Sequence, residues 1–132
     1  MNSPRKILIV DDDEFFAESN KDLLEAYGYE VLMAADGAAG LALAKAQRPD
    51  LMILDVMMAT ETEGFEVARK LPESTELRGM RVLLVTGVTK AMHLPGHLEP
   101  DKTWLPVDRV LEKPIAPPRL IAEVKKLLGE AA

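Results

Sequence analysis

The sequence predicts an α/β fold: a doubly wound, five-stranded parallel sheet with helices on both faces. Three observations predict it. Short, unbroken runs of β-forming apolar residues recur, as at Ile7-Leu8-Ile9-Val10, Leu51 to Leu54 and Val82-Leu83-Leu84-Val85. Stretches of helical length, amphipathic or rich in alanine, separate them. The runs end abruptly on polar residues, Asp11, Asp55 and Thr86. Runs this short and this uniformly apolar read as strands buried on both faces. Strands alternating with helices imply parallel pairing with helices covering each side. The 132 residues are read as a single domain, 1–132, with no output domain, and the length suffices for a core without covalent staples.

Taken in order, Ile7 to Val10 is the first strand, followed by Asp11, Asp12 and Asp13. Glu14 to Tyr27 is predicted helical, with Asp13 as N-cap, Phe16, Leu23, Leu24 and Tyr27 as its apolar face, and Gly28 at the position that ends it. Glu30 to Ala34 is a short strand. Asp36-Gly37 turns the chain, and Asp36 can cap a helix over Ala38 to Gln47 whose larger apolar side chains are Leu41 and Leu43. Pro49 stops that helix, and the strand Leu51 to Leu54 runs into Asp55. Ala59 to Glu63 reads as a polar loop, Phe65 to Leu71 as a short amphipathic helix, and Pro72 to Gly79 as loop. Arg81 to Val85 is a strand ending on Thr86 and Gly87. Val88 to Asp108 carries Pro95, Gly96, Pro100 and Pro106, so the fourth helix is expected to be short or replaced by loop. Arg109 to Glu112 is the last strand, closed by Lys113-Pro114, and Pro117-Pro118 opens a final helix, Arg119 to Leu128, with Ile121, Val124, Leu127 and Leu128 inward.

Composition narrows the function classes. Sixteen Lys and Arg against 22 Asp and Glu give a formal charge of −6, and the basic residues are scattered, which argues against direct nucleic-acid binding. The absence of cysteine excludes a disulfide frame and a thiolate metal site. No signal peptide fits Met1 to Lys6, no run approaches membrane-spanning length, and a cytoplasmic location is the expectation.

In the common doubly wound strand order 2-1-3-4-5, the first and third strands are neighbours at the switch point. Asp11, Asp12 and Asp55 then converge at one rim, with Thr86 and Lys113 on the same edge. A lone Asp after a strand is an ordinary cap, and that suffices for Asp13. Three carboxylates at one mouth repel one another, and a divalent cation removes the conflict. Carboxylates with water suit Mg²⁺ (or Mn²⁺). Two of them can hold the ion while a third attacks phosphorus, and a Lys ammonium and a Thr hydroxyl can take the remaining phosphoryl oxygens. His93 and His97 stand at i, i+4, but Pro95 and Gly96 break the helix that ligand spacing needs, so both read as exposed loop residues. Met52, Met57 and Met58 read as packing, and Trp104 as a loop anchor.

The joint pattern Ile7-Leu-Ile-Val-Asp-Asp-Asp13, Leu54-Asp55-Val-Met-Met58, Val85-Thr86-Gly87 and Glu112-Lys113-Pro114 resembles the receiver domain of bacterial two-component response regulators, a flavodoxin-like fold. The resemblance implies that Asp55 is the phospho-acceptor and takes a phosphoryl group from the phosphohistidine of a sensor histidine kinase or phosphotransfer protein. It implies Asp12 as a direct Mg²⁺ ligand, Asp11 as a ligand through water, Asp55 as a further member of the metal site, and the backbone carbonyl of Met57 as completing it. Thr86 resembles the switch hydroxyl and Lys113 its ion partner, with Lys113-Pro114 a cis bond. A downstream protein, not named by the sequence, would read the change.

The chain departs from that pattern at Ala59, where a proline is usual, and in a loop one residue longer before Gly64. Val110 replaces the usual Tyr or Phe, so the aromatic part of the switch is absent. Two other functions compete: a receiver-like protein that binds partners without phosphorylation, and a phosphatase resembling haloacid dehalogenases through Asp11-x-Asp13. The chain is short for the latter, and no acidic pair follows the fourth strand.

Overall fold

A computed structural model describes residues 4–55, 63–77, 79–86, 107–113 and 115–130. The elements run β1 (Lys6–Val10), α1 (Glu14–Ala26), β2 (Glu30–Ala34), α2 (Gly37–Gln47), β3 (Leu51–Asp55), α3 (Glu63–Lys70), β4 (Arg81–Thr86), β5 (Arg109–Glu112) and α4 (Pro117–Leu127). All strand pairs are parallel, in the order β2-β1-β3-β4-β5. The predicted fold class and strand order are those observed.

The two faces follow from side-chain alternation along each strand. Ile7, Ile9, Leu51, Ile53, Leu83 and Val85 face α1 and α4, where Ala17, Leu24, Ile121 and Val124 meet them. Leu8, Val10, Met52, Leu54, Val82 and Leu84 face the other way, against Ala44, Val67 and Ala68 of α2 and α3. Because both parities are buried, the sequence shows an unbroken apolar run instead of an alternation.

Several details correct the sequence reading. Tyr27 lies past the end of α1 and is exposed, and the residue buried from that helix besides Leu24 is Ala17. Leu41 and Leu43 are only half-buried, while α2 is packed through Gly37, Gly40 and Ala44. The cause is close approach: a Cβ built on Gly40 would stand 2.8 Å from Val10 Cγ2. Pro72 to Gly79 is not plain loop; it holds 3-10 turns at Leu71–Glu73 and Thr75–Leu77, anchored by the buried Leu71 and Leu77. Glu63 opens α3 instead of closing a polar loop, and α4 starts at Pro117, where a fixed proline φ suits a first turn. Residues 56–62 and 87–106, with Met57, Met58, Ala59, His93, His97 and Trp104, and also Pro114, lie outside the described residues. So does the expected cis bond, and so does the expected short or missing fourth helix.

Candidate functional site

The ladder register assembles the site. Val10 is level with Leu54 in the β1–β3 pair, so Asp11 and Asp55 leave the sheet side by side. Asp55 is level with Val85, which sets Thr86 one residue further out, and Thr86 is level with Glu112, which brings Lys113 beyond it. The Lys113 N–H donates to the Thr86 carbonyl at 2.7 Å, extending the β4–β5 ladder to the site. Four of the five residues expected at the rim, Asp11, Asp55, Thr86 and Lys113, are therefore brought together by the sheet itself, and Asp12 follows Asp11 there.

Asp11, Asp55 and Thr86 are the buried polar residues among those described. Asp11, Asp12 and Asp55 each offer a carboxylate oxygen, and these oxygens lie within 4.8 Å of one another. Asp12 is exposed, so the group opens to water on its side. The Lys113 ammonium stands 3.4 Å from Asp11 Oδ2 and 3.7 Å from Asp55 Oδ1. Asp11 is fixed from both ends: its N–H donates to the Ala34 carbonyl at 3.0 Å, and its Oδ1 accepts from the Asp13 N–H at 2.8 Å. Asp13 is the cap the sequence suggested, its carboxylate accepting from the Phe16 N–H at 3.1 Å.

One neighbour was not legible as such. Phe16, read only as packing, lies in the first turn of α1 with its ring under the Lys113 ammonium, 4.1 Å from Nζ to the centroid. The available signal was its place three residues after the Asp13 cap, which puts the first turn of the helix at the strand mouth.

The sequence model for the response regulator receiver domain matches residues 7–125. The chain belongs to that family. It is similar to the polar-differentiation response regulator DivK of Brucella anthropi, 35% identical over 128 residues that cover 97% of this chain and 99% of that protein. Among solved structures it is similar to a CheY-like response regulator receiver domain from Methanospirillum hungatei, with TM-score 0.75, 32% identity, and coverage of 96% of this chain and 95% of that one. It also resembles the chemotaxis response regulator CheY4 of Vibrio cholerae, with TM-score 0.77, 28% identity, and 94% and 98% coverage. Receiver domains of two-component systems are signalling switches rather than conventional enzymes, they interact with histidine kinases or phosphotransfer proteins, and they bind Mg²⁺ at an acidic pocket. The donor set here fits that ion, since hard carboxylate oxygens beside an opening to water are what Mg²⁺ prefers. No helix among the described residues is long and apolar enough to cross a membrane.

Proposed function

We propose that this receiver domain is a phospho-accepting switch in which Asp55 takes a phosphoryl group from a phosphohistidine and a partner protein reads the result in the cytoplasm. The observation that carries the reading is a buried strand-end carboxylate grouped with two others and set 3.7 Å from an ammonium. A carboxylate so placed is a nucleophile with cationic help beside it. An Asp55 oxygen attacks phosphorus, the P–N bond to the donor imidazole breaks, and the imidazole leaves and takes up a proton. The product is an acyl phosphate on Asp55. Asp11 and Asp12, with the Met57 carbonyl, would hold Mg²⁺, which when bound offsets negative charge on the transferring group. Lys113 then pairs with one phosphoryl oxygen, and the Thr86 hydroxyl donates to another. The extra charge on Asp55 pulls Thr86 and Lys113 inward and with them the ends of β4 and β5, which is the change a partner would read.

Val110 in place of an aromatic favours a second reading, a module that binds its partner without phosphorylation. One experiment separates the two. The protein is incubated with Mg²⁺ and acetyl phosphate and its intact mass is measured. A stoichiometric gain of one phosphoryl group, stable in acid, labile in base and lost in Asp55→Asn, supports the switch. No gain with acetyl phosphate or with a phosphorylated histidine donor supports the binding module and sinks the switch.

A further inference from the structure

Phe16 has no part in the chemistry just described, yet it holds one of its groups. A single ammonium, Lys113 Nζ, lies over the Phe16 ring at 4.1 Å and within 3.7 Å of Asp55 Oδ1. The ring sits on a backbone pinned twice: the Phe16 N–H donates to the Asp13 carboxylate at 3.1 Å, and its carbonyl accepts from Asn20 Nδ2 at 2.9 Å. The contacts close a circuit. Asp11 holds the Asp13 N–H, Asp13 caps Phe16, the Phe16 ring carries Lys113, and Lys113 reaches back to Asp11 at 3.4 Å.

Packing explains why residue 16 is apolar, since its half-buried side chain rests against the core on the α1 side. Packing alone does not call for an aromatic face beneath a cation, because leucine or methionine would also present apolar surface to the core there. Lysine is a point charge on a flexible stem, so something must fix its head. Carboxylates are an unreliable anchor here: their hold on the ammonium changes whenever their charge is shared with a metal ion or esterified by a phosphoryl group. The negative face of an aromatic ring is unaffected by either event.

We propose that Phe16 is a positioning residue for phosphoryl transfer, its ring holding the Lys113 ammonium at Asp55 whatever charge the carboxylates carry. The role in transfer rests on the function proposed above; the holding of Lys113 does not, and the test reads the two separately. Phe16→Leu and Phe16→Tyr are made with Lys113 intact and in a Lys113→Met background. Initial rates of phosphorylation by acetyl phosphate are followed by intact mass at fixed Mg²⁺. The Lys113 ε-methylene proton shifts are read by NMR without any phosphodonor.

Phe16→Leu slows phosphorylation by about two- to fivefold, the equivalent of roughly 0.5–1 kcal/mol expected of a partly exposed cation–π contact. Phe16→Tyr restores the rate, and neither change matters once Lys113 is methionine. The ε-methylene protons are shifted upfield by the ring in the wild type and in Phe16→Tyr, and the shift vanishes in Phe16→Leu. Phe16→Met replaces the leucine variant if that one does not fold. Equal slowing in the Lys113→Met background, or an unshifted ε-methylene in the wild type, overturns the proposal. If the wild type accepts no phosphoryl group, the switch reading fails, and the upfield shift alone decides whether the ring holds the lysine.

Discussion

Replacing Lys113 by methionine keeps most of the stem and removes the charge, and the structure says what that costs. The ammonium is 3.4 Å from one carboxylate and 3.7 Å from another, whose side chains are 1% and 4% exposed. At an effective dielectric constant of about 20, each contact is worth roughly 5 kcal/mol before desolvation is subtracted. Breaking a fully buried pair from one side costs about 3–5 kcal/mol, because the remaining charge stays buried. The Lys113 side chain keeps 25% of its exposure, so solvent already screens part of the attraction. The expected loss in metal-free buffer is therefore about 1–3 kcal/mol, or roughly 4–12 °C in melting temperature for a domain of this size. Mg²⁺ then changes the comparison. A divalent cation replaces the missing charge and no longer meets a repelling ammonium, so saturating Mg²⁺ stabilises the variant more than the wild type and narrows the gap. At a hundredfold excess over Kd, mass action alone supplies about 2.7 kcal/mol. Thermal melts of both proteins with EDTA and with Mg²⁺ measure this, and Asp12→Ala, which removes a like charge and a ligand, gives the control without the metal gain. A variant that melts with the wild type in EDTA, or a gap that Mg²⁺ leaves unchanged, would show that Lys113 does not neutralise the acidic group.

Two further predictions concern the scaffold. The Tyr29 hydroxyl donates to Glu130 at 2.8 Å, and burial together with that carboxylate pushes its pKa up to about 12. Between 10.0 and about 12 the unfolded chain loses a proton that the folded one keeps, so stability falls as pH rises through that window. Tyr29→Phe makes the alkaline decline shallower in urea titrations, and an unchanged slope refutes the assignment. Gly40→Ala would set a Cβ 2.8 and 2.9 Å from the two Val10 methyls. Overpacking of about 1–3 kcal/mol outweighs the gain of up to about 1 kcal/mol in helix propensity. The urea midpoint falls, and combining the change with Val10→Ala costs less than the sum of the two alone; a midpoint that rises contradicts the close approach.

What the sequence showed and what it hid have physical reasons. A strand buried on both faces must be written as an apolar run, so β1, β3 and β4 were legible, and the residue that breaks each run marks its end at the rim. That is why Asp11, Asp55 and Thr86 could be placed together once the strand order was known, and Lys113 with them through the end of β5. Helix packing was less legible where it depends on what is missing from a side chain. The seat of α2 against β1 is made by Gly40 and Ala44, and larger residues such as Leu41 flank the contact. Tyr27 kept the helical spacing but fell one residue past the helix, where Lys125 lies over its ring instead of the core covering it. The aromatic seat of Lys113 was hidden for another reason: a helix pattern gives the direction of Phe16 but not which residue from a distant strand end will stand above it.

Val110 bears on how a change at the site could leave it. The residue is level with Leu84 and packs, half-buried, against the core on the α2 and α3 side. A β-branched side chain has one stiff rotation and no ring to relocate. In the proposed switch, motion at Thr86 therefore has no aromatic at this position to displace. What the structure provides instead is a main-chain link, the 2.7 Å hydrogen bond from the Lys113 N–H to the Thr86 carbonyl. Thr86 and Lys113 are tied at their backbones while both side chains belong to one rim. In that switch, a phosphoryl group that draws in either one carries the end of the neighbouring strand with it or breaks that bond. In the proposed switch, the coupling between β4 and β5 therefore runs through the peptide backbone, with no ring at position 110 to take part in it.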